Sequence, residues 1–256
     1  YSTAFDRWMV NLVTAEEWPE AVEPLAELLC RRTERVATVV NNITRRKASI
    51  AVGEKERILC GEGFLKDSIG PYTFHISANS FFQTNTAGAR KLYETVAAYA
   101  GLAGKEKVLD LYSGTGTIPI FLAGRAESVT GIEINESAVA DARRNCRENG
   151  IDNCSFICGD LREKLAAIPF RPDVLVIDPP RAGMHMDVLA QVLALAPERI
   201  VYVSCNPPTF SRDLTQMMEQ YELIEVQPVD MFPHTYHIEM VAKLRARKSK
   251  GKAGKK

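Results

Sequence analysis

The sequence of 256 residues contains no run of about 18 apolar residues, and its N-terminus has no basic stretch leading into an apolar one. The first absence leaves no segment to cross a membrane, and the second leaves no export signal. The cytoplasm is therefore the expected compartment, and no membrane partner is expected. A C-x-x-C pair is also missing. The six cysteines, Cys30, Cys60, Cys146, Cys154, Cys158 and Cys205, are scattered, which argues against a zinc ribbon or a disulfide framework. Cys154 and Cys158 lie four apart in the strand-like "CSFIC", where same-side packing accounts for them and no metal site is read. Net charge is zero, but it conceals an asymmetry. Residues 243–256 hold eight Lys or Arg and no acid, which leaves 24 basic against 32 acidic side chains in residues 1–242. The segment 247–256 reads as a disordered basic tail, either touching nucleic acid or simply solvated. An acidic body gives little footprint for RNA.

With 46% hydrophobic residues the chain can bury one substantial core and a smaller second one. No internal repeat or low-complexity segment precedes the tail. Residues 1–75 read as a small α+β domain with an antiparallel sheet. Its pieces are "RWMVNLVT" (7–14), "EAVEPLAELLCRR" (20–32), "VATVVNNI" (36–43), "RILCGEG" (57–63) and "YTFHIS" (72–77), and none contains a constellation with a chemical reading. Residues 76–246 change texture. An amphipathic helix closed by Gly101 is followed by "KVLDLYSG", "SVTGIEIN", "CSFICGD", "DVLVIDPP" and "RIVYVSCN", separated by helical segments. Strands apolar throughout that alternate with helices predict a parallel sheet covered on both faces. "YELIEVQPVDMF" and "HIEMVAKLRA" have no helix between them, so they predict an antiparallel pair at the sheet edge. The expected class is α/β, and a parallel sheet ending this way resembles the Rossmann-like methyltransferases.

"VLDLYSGTGTIPI" (108–120) reads as strand, glycine turn, helix. A dinucleotide fingerprint starting at Gly114 and Gly116 needs a third glycine at 119, where Pro119 stands, so NAD is disfavoured. The pattern D-x-x-x-G-x-G, with Asp110 at the strand end, resembles an S-adenosylmethionine loop instead. Glu133 ends the next strand, placed to accept both hydroxyls of a ribose, and Asp160 ends the third, near an adenine amino group. Ligands of such sheets bind outside the carboxyl ends of the strands, where these acids gather. The competing account makes them solvated turn acids.

The reaction side is "VIDPPRAG" (176–183) at the fourth strand and "VSCN" at the fifth. In exocyclic-amine methyltransferases an aromatic residue follows D-P-P, but here Arg181 does. The RNA cytosine-5 enzymes place a Pro-Cys pair at the fourth strand, and this chain has none. What remains is Asp178, Cys205 and, on the final strand, Glu239. Cys205 stands just before "NPPTFSRDLTQMM", a helix start in which Asn206 can cap and Pro207 fits the first turn. A thiol there is either a small apolar filler or a nucleophile whose pKa the helix N-terminus lowers.

"SFFQTN" (80–85), "DLYSGTGT", "DPPRAG", "SCNPPTFSRDL" and "FPHTYHIEMV", in that order, resemble the uracil-5 RNA methyltransferases that make 5-methyluridine in tRNA and 23S rRNA. The likeness covers roughly residues 7–246. It implies Gln83, Tyr112, Thr117, Glu133, Asp160 and Asp178 as cofactor residues beside Gly114 and Gly116, Cys205 as nucleophile and Glu239 as base. S-adenosyl-L-methionine would be the cofactor and an RNA uridine, flipped from its stack, the substrate, for an enzyme acting as a monomer. Asp178 would hold the uracil edge or the cysteine. Family members often begin with a small RNA-binding β-barrel, and many hold an iron–sulfur cluster near the N-terminus. This sequence starts in mid-strand at Tyr1 without either, which suggests the C-terminal part of a longer enzyme. His234 and His237 are expected to make structural hydrogen bonds, and of Phe81, Phe82 and Phe232 two are expected to pack rather than stack on bases. Two further functions compete: a methyltransferase of another base or a small molecule that uses D-P-P without covalent catalysis, and a non-catalytic module that binds cofactor or RNA.

Overall fold

The computed structural model describes residues 1–45 and 53–247. The expected basic tail lies, from residue 248, outside the described residues. Among the described residues no helix is long and apolar enough to cross a membrane.

The first unit contains β1 (Trp8–Thr14), α1 (Pro19–Arg32), β2 (Val36–Ile43) and β3 (Lys55–Gly61). The expectation of an antiparallel sheet here needs correction. β1 and β2 are parallel, and only β3 runs against β2. The intervening helix α1 carries the chain back to the starting end of the sheet, which is what a parallel neighbour requires. Val22 and Ala26 of α1 are buried, as are Val39 and Val40 of β2. Cys30 of α1 and Cys60 of β3 form a disulfide with Cα atoms 7.0 Å apart, a pairing that their spacing of 30 residues does not advertise.

A hairpin follows, β4 (Phe64–Ile69) paired with β5 (Tyr72–Ser77). The expected boundary at residue 75 falls inside β5. Ile69, Phe74 and Ile76 of the hairpin are buried in the same core as the next helix, α2 (Thr86–Ala100). α2 starts at Asn85, whose side chain accepts the Gly88 N–H, and ends at Gly101 in the left-handed region at φ 57°.

Seven strands then form one sheet in the order β11-β12-β10-β9-β6-β7-β8. They are β6 (Lys107–Leu111), β7 (Ser128–Glu133), β8 (Cys154–Cys158), β9 (Val174–Ile177), β10 (Arg199–Ser204), β11 (Tyr221–Val229) and β12 (Glu239–Ala246). β6 to β10 are mutually parallel, while β12 lies antiparallel between β10 and β11. The antiparallel edge pair is therefore present, with β11 outermost. Helices cover both faces: α2, α3 (Thr117–Ala123) and α4 (Glu136–Glu148) on one, α5 (Leu161–Lys164), α6 (Met186–Leu195) and α7 (Pro207–Met217) on the other. The period of two explains the uniformly apolar strands. Val174, Val176, Val201 and Val203 enter the first core; Leu175, Ile177, Ile200 and Tyr202 enter the second.

Candidate active site

Each parallel strand delivers one candidate residue to the same edge. Tyr112 follows β6, Glu133 ends β7, Asp160 follows β8, Asp178 follows β9 and Cys205 follows β10. β12 runs the other way, so its first residue, Glu239, arrives at that edge too. Ser204 pairs with Met240, and Cys205 and Glu239, the next residue on each side, lie close enough for the carboxylate to act on the thiol.

The cofactor half is built on the turn after β6. Tyr112 adopts φ 64°, a strained conformation for a non-glycine residue and one that clusters at ligand sites. Gly116 is held at φ 78°, and a Cβ there would meet the Phe156 ring at 2.9 Å, so no other residue fits. Gly114, at φ 52°, faces open space. Its N–H donates to Glu133 Oε2 at 3.0 Å, and the Asn135 N–H donates to Oε1 at 2.9 Å. Tyr112, Glu133, Ile134, Asp160, Arg162 and His185 line a cavity of about 250 Å³. Asp160 also caps α5, accepting the Arg162 N–H at 2.9 Å, and its side chain pairs with the Arg162 guanidinium, which holds its carboxyl down at about 2. Gln83 is half-buried in the loop between β5 and α2, without a hydrogen bond among the described residues. Thr117 opens α3 and donates from Oγ1 to the Tyr93 hydroxyl at 3.1 Å.

The centre between the halves is crowded with acid. Asp110 is 1% exposed, and neither carboxylate oxygen has a hydrogen-bond partner. Burial, then Asp178 and Glu133, push it well above the ordinary range. Burial pushes Asp178 up to about 6. Glu239 rises to about 7, through burial first and Asp178 second, against the lowering influence of Arg181. A buried carboxyl such as Asp110, with no paired cation and no hydrogen bond among the described residues, calls for donors or positive charge. A ligand carrying an ammonium and a sulfonium supplies both, so the residues present fit S-adenosylmethionine.

These shifts set a pH dependence. Both carboxyls are raised above their unfolded values near 3.8 and 4.5. Their contribution to stability is therefore complete below about pH 4 and is lost as pH rises through about 6 to 7. Glu239→Gln is expected to match the wild type in thermal stability at pH 4.5 and to exceed it by about 1–3 kcal/mol at pH 8, each pKa unit being ~1.4 kcal/mol. Parallel melting profiles across that range would remove the burial argument.

On the β9–β10 side, two loops clamp together. Asn206 Nδ2 and Thr209 Oγ1 both donate to the Arg181 carbonyl, at 2.8 and 3.2 Å. Asn206 occupies the cap position of α7 but makes no side-chain cap, contrary to the expectation, because its amide is engaged across the clamp. Buried Asp213 seals the base of it, accepting the Met184 N–H at 2.8 Å, the Tyr202 hydroxyl at 2.7 Å and the Arg212 guanidinium. Arg181 reaches His237 Nδ1 at 3.1 Å. Phe82 and Phe232 pack on the first core, while Phe81 is 74% exposed. The Cys205 thiol departs from expectation: it is raised, not lowered. Burial comes first among the causes, then Glu239 and Asp178, which together outweigh Arg181 and the backbone. Arg181 and Asp213 have no assigned role in the motifs. The one available signal was the arginine standing where an aromatic follows D-P-P in the nitrogen enzymes.

The sequence profile of the tRNA (uracil-5-)-methyltransferases matches residues 9–247. The chain belongs to this family. Family members are S-adenosylmethionine-dependent methyltransferases. An uncharacterized RNA methyltransferase of Chlorobaculum tepidum is 44% identical over 249 residues, covering 94% of this chain and 52% of the relative. Another, of Geobacter sulfurreducens, is 44% identical over 240 residues, covering 92% and 48%. Among solved structures, the Pyrococcus abyssi tRNA (uracil-54, C5)-methyltransferase in complex with S-adenosyl-L-homocysteine is similar at 36% identity and a TM-score of 0.72, over 93% of this chain and 56% of that one. The chain thus spans about half the length of the curated relatives it matches. As in its family, the sheet is Rossmann-like.

Proposed function

We propose that this chain carries the catalytic centre of an RNA methyltransferase that forms 5-methyluridine in rRNA, 23S foremost, or in tRNA through a covalent adduct between Cys205 and carbon 6 of uracil. The observation that supports the reading is the nearness of Cys205 to Glu239 and Asp178, both of which act on its thiol, at the strand edge where Glu133 and Asp160 also lie. S-adenosylmethionine, when bound, supplies the methyl group. Glu133 would hold the ribose hydroxyls, Asp160 the adenine edge, and Tyr112 and Gly114 the floor of the cavity. Gln83 and Thr117 would complete the binding of cofactor near the reacting centre.

Carbon 5 of uracil is a poor nucleophile. Addition of the Cys205 sulfur at carbon 6, as thiolate after its proton has passed to solvent, forms a C–S bond and moves the ring electrons into an enolate, whose carbon 5 can accept a methyl group. Carbon 5 then carries both hydrogen and methyl. Glu239 takes that proton, the electron pair restores the double bond, and the C–S bond breaks to release the thiolate. A carboxyl near pH 7 is suited to the task, because it is ionised in part before the step and protonated after it. Asp178 stands beside both groups and would hold the uracil edge or the cysteine. The target base must leave its stack to reach this edge.

RNA containing 5-fluorouridine tests the reading, since fluorine at carbon 5 cannot be removed as a proton. With cofactor present, a covalent complex stable on a denaturing gel is expected. Methylation of RNA without capture would reject the cysteine route, and cofactor binding with no methylation of any RNA would leave only a binding module. The ribose assignment has its own check. Glu133→Ala is expected to weaken cofactor binding by about 1–3 kcal/mol, the scale of charge-assisted hydrogen bonds. A dissociation constant unchanged by calorimetry would remove Glu133 from the ribose.

A further inference from the structure

One face of α4 acts as a substitute strand. The free edge of β5 offers backbone groups at every second residue, and α4 meets them with polar side chains spaced four apart. Asn149 accepts the Thr73 N–H at 3.0 Å and donates to the Thr73 carbonyl at 2.7 Å. Asn145, fully buried, accepts the His75 N–H at 2.7 Å and donates to the His75 carbonyl at 3.4 Å. Asp141 accepts the Ser77 N–H at 3.0 Å. Helical positions i, i+4 and i+8 thus match strand positions two apart.

Asp141 goes further than its neighbours. It is 1% exposed, and among the described residues no cation pairs with it. The Ser77 hydroxyl donates to it at 2.7 Å and the Ser80 hydroxyl at 2.8 Å. A buried carboxylate is costly unless donors surround it, and here all of them come from the root of the loop 78–85. That loop carries exposed Phe81 and half-buried Gln83. Asn135, which caps α4 and donates its N–H to Glu133, also donates from Nδ2 to the Asn79 carbonyl at 3.2 Å. Asn145 donates as well to the Thr115 carbonyl in the glycine turn, at 3.1 Å. At its far end the loop is tied by Asn85 Nδ2 to the Met231 carbonyl at 2.7 Å, just before the segment leading to Glu239.

We infer that Asp141 is a positioning residue: its buried carboxylate fixes the loop 78–85, and with it Phe81 and Gln83, between the Glu133 turn and the segment leading to Glu239, while the same helix fixes the cofactor turn. The inference rests on the uracil reading for what the loop faces, and on the hydrogen bonds alone for what holds it. Asp141→Asn replaces an acceptor by a donor, so at least one of the three donors loses its partner. Ser80→Ala removes a single bond and preserves the carboxylate, and it serves if Asp141→Asn does not fold.

Three measurements on each variant decide it. Hydrogen exchange is expected to speed at least tenfold for amides 78–84 in Asp141→Asn, and several-fold in Ser80→Ala, with amides 114–117 unchanged. Cofactor affinity is expected to fall only about three- to fivefold, through the loosened Gln83, and by clearly less than capture. Covalent capture of 5-fluorouridine RNA at saturating RNA is expected to slow at least tenfold in Asp141→Asn and by less in Ser80→Ala. Unchanged exchange in the loop overturns the inference, as does cofactor affinity falling in step with capture, which would make Asp141 a general support of the fold. Capture at the wild-type rate despite a loosened loop also overturns it. If the wild type itself captures no RNA, the uracil reading fails, and the exchange data still decide what Asp141 holds.

Discussion

Cys205→Ala is expected to abolish methyl transfer while leaving S-adenosylmethionine affinity within a few-fold of wild type. The loss should be on the order of 10⁴-fold or more, because removing a covalent nucleophile deletes the only route that activates carbon 5. The separation follows from position. Cys205 follows β10 near Glu239 at the start of β12, and the cavity bounded by Tyr112, Glu133 and Asp160 lies across the sheet at β6 to β8. Incorporation of labelled methyl into RNA measures the first quantity and calorimetry the second. A large drop in cofactor affinity would make Cys205 a support of the fold, and near-normal turnover would favour a non-covalent reaction at D-P-P. The raised thiol adds a condition. With Glu239 and Asp178 opposing ionisation and Arg181 favouring it, the sulfur rests as a neutral thiol in the free protein, so attack requires a proton acceptor or added positive charge.

That direction of shift shows what a linear sequence conceals. The helix start after Cys205 is legible, with Pro207 in its first turn, and it predicts a lowered thiol pKa. The opposing carboxylates come from β9 and β12, segments 27 residues before and 34 residues after it, and meet the thiol only when the sheet forms. The common edge of Glu133, Asp160 and Asp178 was legible for the converse reason. Each stands at or just past the end of a mainly apolar strand, and the parallel sheet brings all such ends to one edge. β4 went unseen because "FLKDSI" mixes Lys66 and Asp67 into a short strand, and Asp67 is buried for reasons its neighbours in sequence do not reveal. The parallel pairing of β1 with β2 was obscured by length: two strands and one helix of 14 residues suit either direction until packing chooses.

The ladder on α4 was hidden in a similar way. Asp141, Asn145 and Asn149 have the spacing of an ordinary solvated helix face. Two of them are buried because the hairpin edge lies against them, and nothing in the helix announces that neighbour. Asn206 is the same lesson at the scale of one side chain. Local rules assign it to the α7 cap, whereas the D-P-P loop, which the fold brings alongside, offers the Arg181 carbonyl instead.

Glu239→Gln is expected to separate the two halves of the reaction. The amide keeps the size of the carboxyl but cannot take the carbon-5 proton. Addition of Cys205 and methyl transfer should then proceed, and elimination should stall. Methylated RNA would stay joined to the protein through Cys205, as a species that survives a denaturing gel and carries label from the cofactor methyl group, where wild type shows only a trace. The pH profile gives an independent check. With Glu239 ionising near 7, release of 5-methyluridine by wild type should rise as pH passes from about 6 to 8, because the base form is the one above its pKa, and the variant should show no such rise in release. Absence of any adduct, together with free 5-methyluridine at near wild-type rate, would move the base to water or to a neighbour such as His237, which Arg181 already holds within 3.1 Å. Glu239 would then be an acid at the start of β12 whose raised pKa reflects burial and the neighbouring Asp178 without a part in the reaction.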